Sequence, residues 1–294
     1  MTATDLRPED TPFAPLDWGF VLGAASIWGG SFLFMAIGLD AFEPGVVTLL
    51  RVGFGALALV LLPGARRSVP REDLPKIALL GITWMALPLT LFPIAQQWID
   101  SSVAGMLNAA MPLLTVLISW LIFHTPTGPR RLFGVAVGLV GILLIGVPEA
   151  STAGTNAVGV GLVVLAVASY GVAVNIAGPL QQRHGSLPVI VRALAVATVL
   201  TLPYGIVGIP DSTFAWDSLI ACFIVGAGGT GVAFVFAASL TGRVGAVRAS
   251  LVTYVIPVIS IVLGVVFRDE TVTIAAIVGT GVILLGAFLS SRVE

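Results

Sequence analysis

WGFVLGAASIWGGSFLFMAIGL, at residues 18–39, is an apolar run without a charged side chain. A helix rises 1.5 Å per residue, so a run of this length reaches across the roughly 30 Å hydrocarbon core of a bilayer. The whole chain has the same character, with 57% hydrophobic residues, 10% charged residues and a mean hydropathy of +1.06. A soluble domain is far more polar than this. We therefore predict a protein that folds in lipid.

The 17 residues before this run, MTATDLRPEDTPFAPLD, are polar and rich in acids. They lack the basic start, short apolar core and small-residue cleavage site of a secretory signal. The run at 18–39 is therefore expected to remain as a membrane helix, and residues 1–17 are expected to form a cytoplasmic tail.

Apolar runs of similar length recur along the chain, separated by short polar or Pro/Gly-rich connections. The connections leave no room for a soluble domain. The pattern predicts an all-α membrane protein with ten transmembrane helices, at 18–39, 44–63, 74–97, 101–123, 131–148, 157–179, 187–207, 217–240, 244–267 and 272–291.

The cations are distributed on one side of this predicted topology. With a cytoplasmic amino terminus, the outer loops hold Arg268 alone, whereas the inner segments hold Arg7, Arg66, Arg67, Arg71, Lys76, Arg130, Arg131, Arg183, Arg243, Arg248 and Arg292. Cytoplasmic loops are enriched in Lys and Arg. We therefore predict a multi-pass protein of a bacterial-type inner (plasma) membrane with both termini in the cytoplasm.

The two halves of the sequence repeat each other. At an offset of 145 residues, Pro112, Gly134 and Gly141 coincide with a second set of residues, Pro257, Gly279 and Gly286. At an offset of 142, IWGGS (27–31) coincides with SYGVA (169–173). Five helices per half is an odd number, which inverts the second copy in the membrane. The prediction is a first repeat at 18–148, a periplasmic connection at 149–156 and an inverted second repeat at 157–291.

This arrangement resembles the drug/metabolite transporter superfamily, and within it the EamA-type exporters, which include amino-acid exporters. The resemblance rests on the WGGSFLF sequence (28–34), an arginine in the second and seventh spans (Arg51 and Arg192), and the prolines followed by glycine-rich helices. It implies a membrane exporter of small metabolites. In that family the fourth and ninth helices often end in a Glu. Here Glu270 follows the ninth span, but Thr125 stands at the equivalent place after the fourth.

Pro112 and Pro257 lie near the centres of their predicted helices. A proline leaves the carbonyl four residues earlier without its usual donor, and these carbonyls belong to Asn108 and Thr253. A free backbone group in the membrane must find a partner in protein, water or ligand. The hypothesis is that both kinks flank a substrate cavity and act in gating; the alternative is a static kink satisfied by neighbouring side chains.

Aromatic and polar residues near the predicted bilayer centre are candidates for the walls of that cavity. A buried ring with a polar edge requires a partner. The alternative for each is ordinary helix packing. The predicted substrate-binding residues are Trp28, Trp84, Asn108, Tyr170, Asn175, Thr253 and Tyr254.

Arg51 lies about seven residues, or about 10 Å, into its predicted helix. A central arginine usually marks a transport pathway or an internal ion pair. The alternative is that it extends to the outer face and pairs with Glu43 or Asp40. Arg192 lies closer to the cytoplasmic end and is expected to extend there.

All 15 carboxylates and both histidines fall in tails, loops or helix ends. Proton coupling through a buried group would need one at membrane depth. We therefore expect transport by alternating access without ion coupling, of a neutral or zwitterionic solute such as an amino acid. The alternatives are a proton-coupled multidrug or other metabolite transporter, and a channel.

Other classes of function find no support. Glycine-rich runs such as GAGGTG (226–231) lack the GK[ST] of a phosphate loop and are typical of close helix packing. The single cysteine, Cys222, excludes an intramolecular disulfide and a CxxC motif. We expect no enzyme activity, cofactor, metal or nucleic-acid partner. The expected partners are the lipid bilayer and a small-molecule substrate, with the chain acting as a monomer or alternatively a dimer.

Overall fold

A computed structural model describes residues 13–152, 156–244 and 249–291. Within these ranges every regular element is helical, and none is a strand. We number the helices α1 (Pro15–Leu39), α2 (Pro44–Val60), α3 (Arg71–Ala95), α4 (Ser101–Asn108 and Met111–Leu121, a bent pair), α5 (Pro129–Thr152), α6 (Asn156–His184), α7 (Ser186–Gly208), α8 (216–244), α9 (Leu251–Arg268) and α10 (Ile274–Ser291).

Among the described residues, eight helices are long and apolar enough to cross a membrane, and the bent pair of α4 makes a ninth if it counts as one span. The remaining helix, α2, is apolar but has 17 residues. Large apolar side chains also cover the outside of the bundle: Val199 is 69% exposed, Phe267 66% and Leu143 60%. A continuous apolar exterior is stable against lipid and not against water. The chain is a multi-pass integral membrane protein.

The helices of the two halves interlock in matching pairs. α2 packs against α7, and α5 packs against α10. α1 packs against α8 and α9, and correspondingly α6 packs against α3 and α4. Because each of these contacts joins one half of the chain to the other, the halves share a common core and do not form separate domains.

The α5–α10 contact shows why glycine occupies the repeated positions. Gly134 lies against Gly286, and Gly141 lies against Gly279. A Cβ at any of the four would stand 2.6–2.9 Å from the carbonyl oxygen of its partner glycine. The two backbones can approach this closely because neither carries a side chain there.

Ion pairs join neighbouring helices at both ends of the bundle. At the end where α1 begins, which we call the Asp17 end, Arg243 donates to Asp17, and Asp73 accepts from Arg183 and contacts His184. At the opposite end, which we call the Asp40 end, Arg268 donates to Asp40. The ends also differ in charge, because Arg268 is the one Lys or Arg among the described residues of the Asp40 end.

Several predicted helix limits change. The span predicted at 101–123 is broken after Asn108 and bends by 45°, because Pro112 cannot donate a backbone hydrogen bond and disfavours the helical conformation before it. The connection predicted at 149–156 is mostly helical, since α5 continues to Thr152 and α6 begins at Asn156. Outside the described residues lie 1–12 of the predicted tail, 153–155 of that connection, residues 245–248 of the predicted ninth span, and Arg7, Arg248 and Arg292.

Candidate substrate site

A cavity of about 260 Å³ lies in the middle of the bundle. Six residues that the sequence analysis singled out line it: Trp28, Arg51, Trp84, Asn108, Tyr170 and Thr253. Eleven further residues complete its wall: Ser31, Phe32, Met35, Met85, Leu89, Phe92, Met111, Gly229, Thr230, Phe234 and Ile256. Its volume lies below the roughly 300–1,000 Å³ of sites for drug-sized ligands, so it suits a small metabolite.

The cavity wall follows the internal repeat of the sequence. Trp28 and Tyr170, which are 142 residues apart, both line the cavity. Five more pairs of lining residues are 145 apart, namely 84 and 229, 85 and 230, 89 and 234, 108 and 253, and 111 and 256. Both halves of the chain therefore contribute equivalent positions to one central site.

Two π-helical turns place part of this wall. α3 is π-helical over Gly81–Ala86, and α8 is π-helical over Ile224–Val232. These segments cover the same repeat positions and carry four lining residues: Trp84, Met85, Gly229 and Thr230. A π-turn inserts an extra residue into the helical turn and is frequent at functional sites. It redirects these residues toward the cavity.

Aromatic rings form much of the cavity surface. Phe234 lies edge-on to Trp28 and to Trp84, with ring centroids 5.6 Å apart in each case. On another part of the wall, Phe92 stacks on Tyr170 at 6.2 Å and meets Phe32 edge-on at 5.5 Å. Such contacts hold the rings in fixed orientations and present apolar faces to a ligand.

Some polar side chains of the wall have a hydrogen-bond partner and others have none among the described residues. The Trp28 indole donates to the Gly229 carbonyl at 2.9 Å, which ties α1 to α8. In contrast, no hydrogen bond within the described part of the chain engages the side chains of Trp84, Asn108 or Tyr170. These groups are available to a ligand.

Arg51 is 8% exposed and forms part of the wall. Its Nη1 donates to the Met35 sulphur at 2.9 Å, and its Nε is buried without a partner. Asp40 pairs with Arg268 instead, and no described ion pair involves Arg51, so Arg51 does not extend to the outer acids. Arg192 lies at the Asp17 end, where it donates to the carbonyl oxygens of Pro188 and Arg67.

Four predicted residues lie outside the cavity wall. Asn175 is occupied within the bundle, because it accepts from Ser119 at 2.7 Å and donates to the Gly171 carbonyl at 2.8 Å. Tyr254 packs against the apolar core. Pro112 and Pro257 are not lining residues either, although the residues four before them, Asn108 and Thr253, are.

A second cavity of about 250 Å³ lies at the Asp40 end. Gln96 lines it and donates to the carbonyl oxygen of Phe32, a residue of the central wall, while its own side-chain oxygen is buried without a partner. Asp40 and Arg268 lie on the rim. This hydrogen bond thus links the walls of the two cavities.

Glu270 stabilises the start of α4 at this end. It accepts hydrogen bonds from the backbone N–H groups of Ser101 and Ser102, both at 2.9 Å, and from the Ser101 hydroxyl at 2.6 Å. A carboxylate at a helix amino terminus satisfies free donors and interacts well with the helix dipole. The neighbouring Asp100 is exposed, but partial desolvation together with the negative charge of Glu270 raises the pKa of its carboxyl above the usual range.

The described residues contain no group of three His, Cys, Asp or Glu side chains that could hold a metal. Most of the lining residues missed from the sequence are apolar, such as Phe234 and Met85. The available signal was the 145-residue offset: extended back from Pro112 and Pro257, it equates Trp84 with Gly229 and Leu89 with Phe234.

Comparison with known proteins agrees with this architecture. A profile of the EamA-like transporter family matches residues 18–147 and 157–292. The uncharacterized transporter YoaV of Bacillus subtilis is 24% identical, over 92% of this chain and 95% of its own. The uncharacterized inner membrane transporter YedA of Escherichia coli K12 is 26% identical, over 92% and 89% of the two chains.

One relative has a more specific description. The "probable terminal-alkyne amino-acid exporter" of Streptantibioticus cattleyicolor is 25% identical, over 94% of this chain and 93% of its own. A crystal structure whose description states no function has the same fold, with a TM-score of 0.64, 20% identity and coverage of 94% and 96% of the two chains. Since the family profile covers nearly all of the sequence, the chain belongs to the EamA-like transporter family.

Proposed function

We propose that this transporter exports small neutral or zwitterionic metabolites, amino acids above all, by alternating access around the central cavity. The observation that carries the proposal is the cavity itself, with aromatic faces and free polar groups contributed at equivalent positions by both halves of the chain. A site of this kind between repeated halves is typical of secondary transporters. The description of the S. cattleyicolor relative as an amino-acid exporter favours the same substrate class.

The topology belongs to the proposal. Ten spans form two inverted five-helix repeats, with α2 as the shortest span and the bent α4 as one. Three observations support this: the family profile matches twice, the helix contacts come in matching pairs, and 17 residues lie within the range of transmembrane helices. The cation-rich Asp17 end faces the cytoplasm, as do both termini.

A monomer suffices for this mechanism, because one chain supplies the whole cavity wall. Transport proceeds without obligatory ion coupling, since none of the lining residues is Asp, Glu or His. The residues proposed to contact the substrate are those of the predicted set that line the cavity, while Asn175 and Tyr254 support it through packing. Pro112 and Pro257 act as hinge points.

The proposal can be tested by measuring transport in proteoliposomes. Purified protein is reconstituted, and the flux of radiolabelled neutral, acidic and cationic amino acids is measured with and without an imposed proton gradient. We expect saturable flux of neutral amino acids and accelerated exchange when substrate is present on the opposite side. Uphill accumulation driven by the proton gradient would instead support a proton-coupled carrier, and flux that does not saturate would support a channel.

A further inference from the structure

The geometry of Arg51 points to how the substrate is recognised: we propose that the guanidinium of Arg51 binds a carboxylate of the substrate, and that the site takes apolar monocarboxylates in general, amino acids among them, because the amino group is dispensable. This rests on the proposed function, because it assigns the substrate of the same cavity. It predicts that N-acylated amino acids are accepted as well as free ones, whereas amides and esters are rejected.

The hydrogen-bonding state of Arg51 is the first step. A guanidinium carries five N–H donors and stays charged in proteins. Within the described residues, the Arg51 guanidinium donates to the thioether sulphur of Met35, which is a weak hydrogen-bond acceptor. Its Nε is buried and has no partner. A buried charge is normally paired. The missing partner is therefore an anion that enters the cavity.

The surroundings of Arg51 fit a carboxylate. The Tyr170 hydroxyl and the Asn108 amide line the same cavity as Arg51, and neither has a hydrogen-bond partner in the described chain. A carboxylate has two oxygens and about four acceptor sites. It can thus accept from the guanidinium fork and from a hydroxyl or amide at the same time.

The same wall offers nothing comparable to an ammonium group. None of the seventeen lining residues is Asp or Glu. Most of the surface is apolar or aromatic, including Phe234, Phe92 and Met85, which suits a hydrocarbon body. A monocarboxylate without an amino group would also neutralise the charge of Arg51, whereas a zwitterion would leave a net positive charge in the low-dielectric centre.

Arg192 provides the matched control. It is the counterpart of Arg51 in the seventh span, one residue away from the position that the 142-residue offset gives. Its guanidinium is engaged by the carbonyl oxygens of Ala65, Pro188 and Arg67, and it does not line the cavity. Its replacement removes the same charge from the equivalent helix without touching the cavity wall.

The test is a binding titration of the full-length protein in detergent, using tryptophan fluorescence because Trp28 and Trp84 line the site. The probes are leucine, N-acetyl-leucine, leucinamide and N-acetyl-leucinamide. We expect both acids to bind, and each amide to bind at least about tenfold more weakly than its acid, as for the loss of a charge-assisted hydrogen bond. Arg51→Gln should abolish this preference, and Arg192→Gln should retain it.

Other results would overturn the inference. These are equal affinity for acids and amides, an acid preference that persists in folded Arg51→Gln, binding of leucine without binding of N-acetyl-leucine, or no binding of either acid. Arg51→Lys, which keeps the charge without the fork, should retain part of the preference. If the protein binds acids with this preference but shows no flux in proteoliposomes, the proposed transport function is contradicted and the Arg51 assignment stands. If flux occurs equally for acids and amides, the Arg51 assignment is contradicted and the transport function stands.

Discussion

Asp40 and Arg268 form a two-pronged ion pair, with Nη1–Oδ2 and Nη2–Oδ1 distances of 2.6 and 2.9 Å. The pair joins the end of α1 to the end of α9 on the rim of the second cavity. The repeat equates these positions with Gln182 and Phe123, which cannot form an ion pair. The contact therefore holds the ends of α1 and α9 together at the Asp40 end, whereas Gln182 and Phe123 cannot join the equivalent ends of α6 and α4 in this way.

We expect Arg268→Gln to open the Asp40 end more often. Because both side chains are partly exposed, the pair contributes about 0.2–1 kcal/mol, so the population of the open form should rise by at most about fivefold. The measurement is the rate at which a membrane-impermeant maleimide labels a cysteine placed at Ala36, which lines the second cavity, in a Cys222→Ala background.

The control for this experiment is Asp269→Asn, which changes a charge at the same end without breaking a described ion pair. It should leave the labelling rate of the Ala36 cysteine unchanged. An equal rate in Arg268→Gln and the parent, or an equal rise in Asp269→Asn, would rule out a gating role for the pair.

Phe234→Ala should weaken substrate binding. Phe234 holds the rings of Trp28 and Trp84 by two edge-on contacts in the cavity wall, and such contacts contribute about 0.5–1.5 kcal/mol each. We expect the KM for flux to rise by about two- to tenfold. Phe236→Ala, two residues further along α8, removes a ring that packs on Phe20 away from the cavity, so its KM should stay unchanged. A similar KM in both variants would contradict the placement of the site.

Gly134→Ala should destabilise the fold, because its Cβ would stand 2.8 Å from the Gly286 carbonyl oxygen and 2.6 Å from the Ser290 nitrogen. Overpacking of this kind costs about 1–3 kcal/mol. Thermal unfolding can be followed with a thiol-reactive dye, since Cys222 is fully buried until the bundle opens. Gly281→Ala on α10 has open space around its Cβ and should unfold at the parent temperature or slightly above. A parent-like unfolding temperature for Gly134→Ala would show that the α5–α10 contact can widen freely.

Pro112→Ala should slow transport more than Pro257→Ala. Pro112 follows the 45° break of α4, whereas Pro257 lies within the continuous helix α9. Alanine restores the backbone N–H donor at position 112 and therefore favours a straight helix. A change of about 1 kcal/mol in the free-energy difference between the bent and straight forms corresponds to a roughly fivefold change in rate. The measurement is the initial flux rate of each variant, with Pro203→Ala in α7 as a control outside the cavity wall. Parent-like rates in both Pro112→Ala and Pro257→Ala would remove the hinge hypothesis.

The sequence predicted the positions of the helices well, because the requirement for some 20 apolar residues per span is local in the chain. It also identified the family, now shown by the family profile, and it gave six of the lining residues, since central polar and aromatic side chains are conspicuous in an apolar helix. It missed Phe234, Leu89 and Met85, which look like ordinary lipid-facing or core residues when read along a single helix.

The amino-acid sequence by itself determined that this chain must fold in lipid and repeat its helices in two halves, because hydropathy and residue offsets are properties of the linear chain. Tertiary structure alone decided which faces meet: that Asn175 is occupied by Ser119, that Arg51 faces a cavity and not Asp40, and that Asp40 pairs with Arg268 across 228 residues. The π-helical turns of α3 and α8 belong to the same category. The physical reason is that a helical periodicity states which residues share a face, whereas the partner of that face depends on how all the helices pack together.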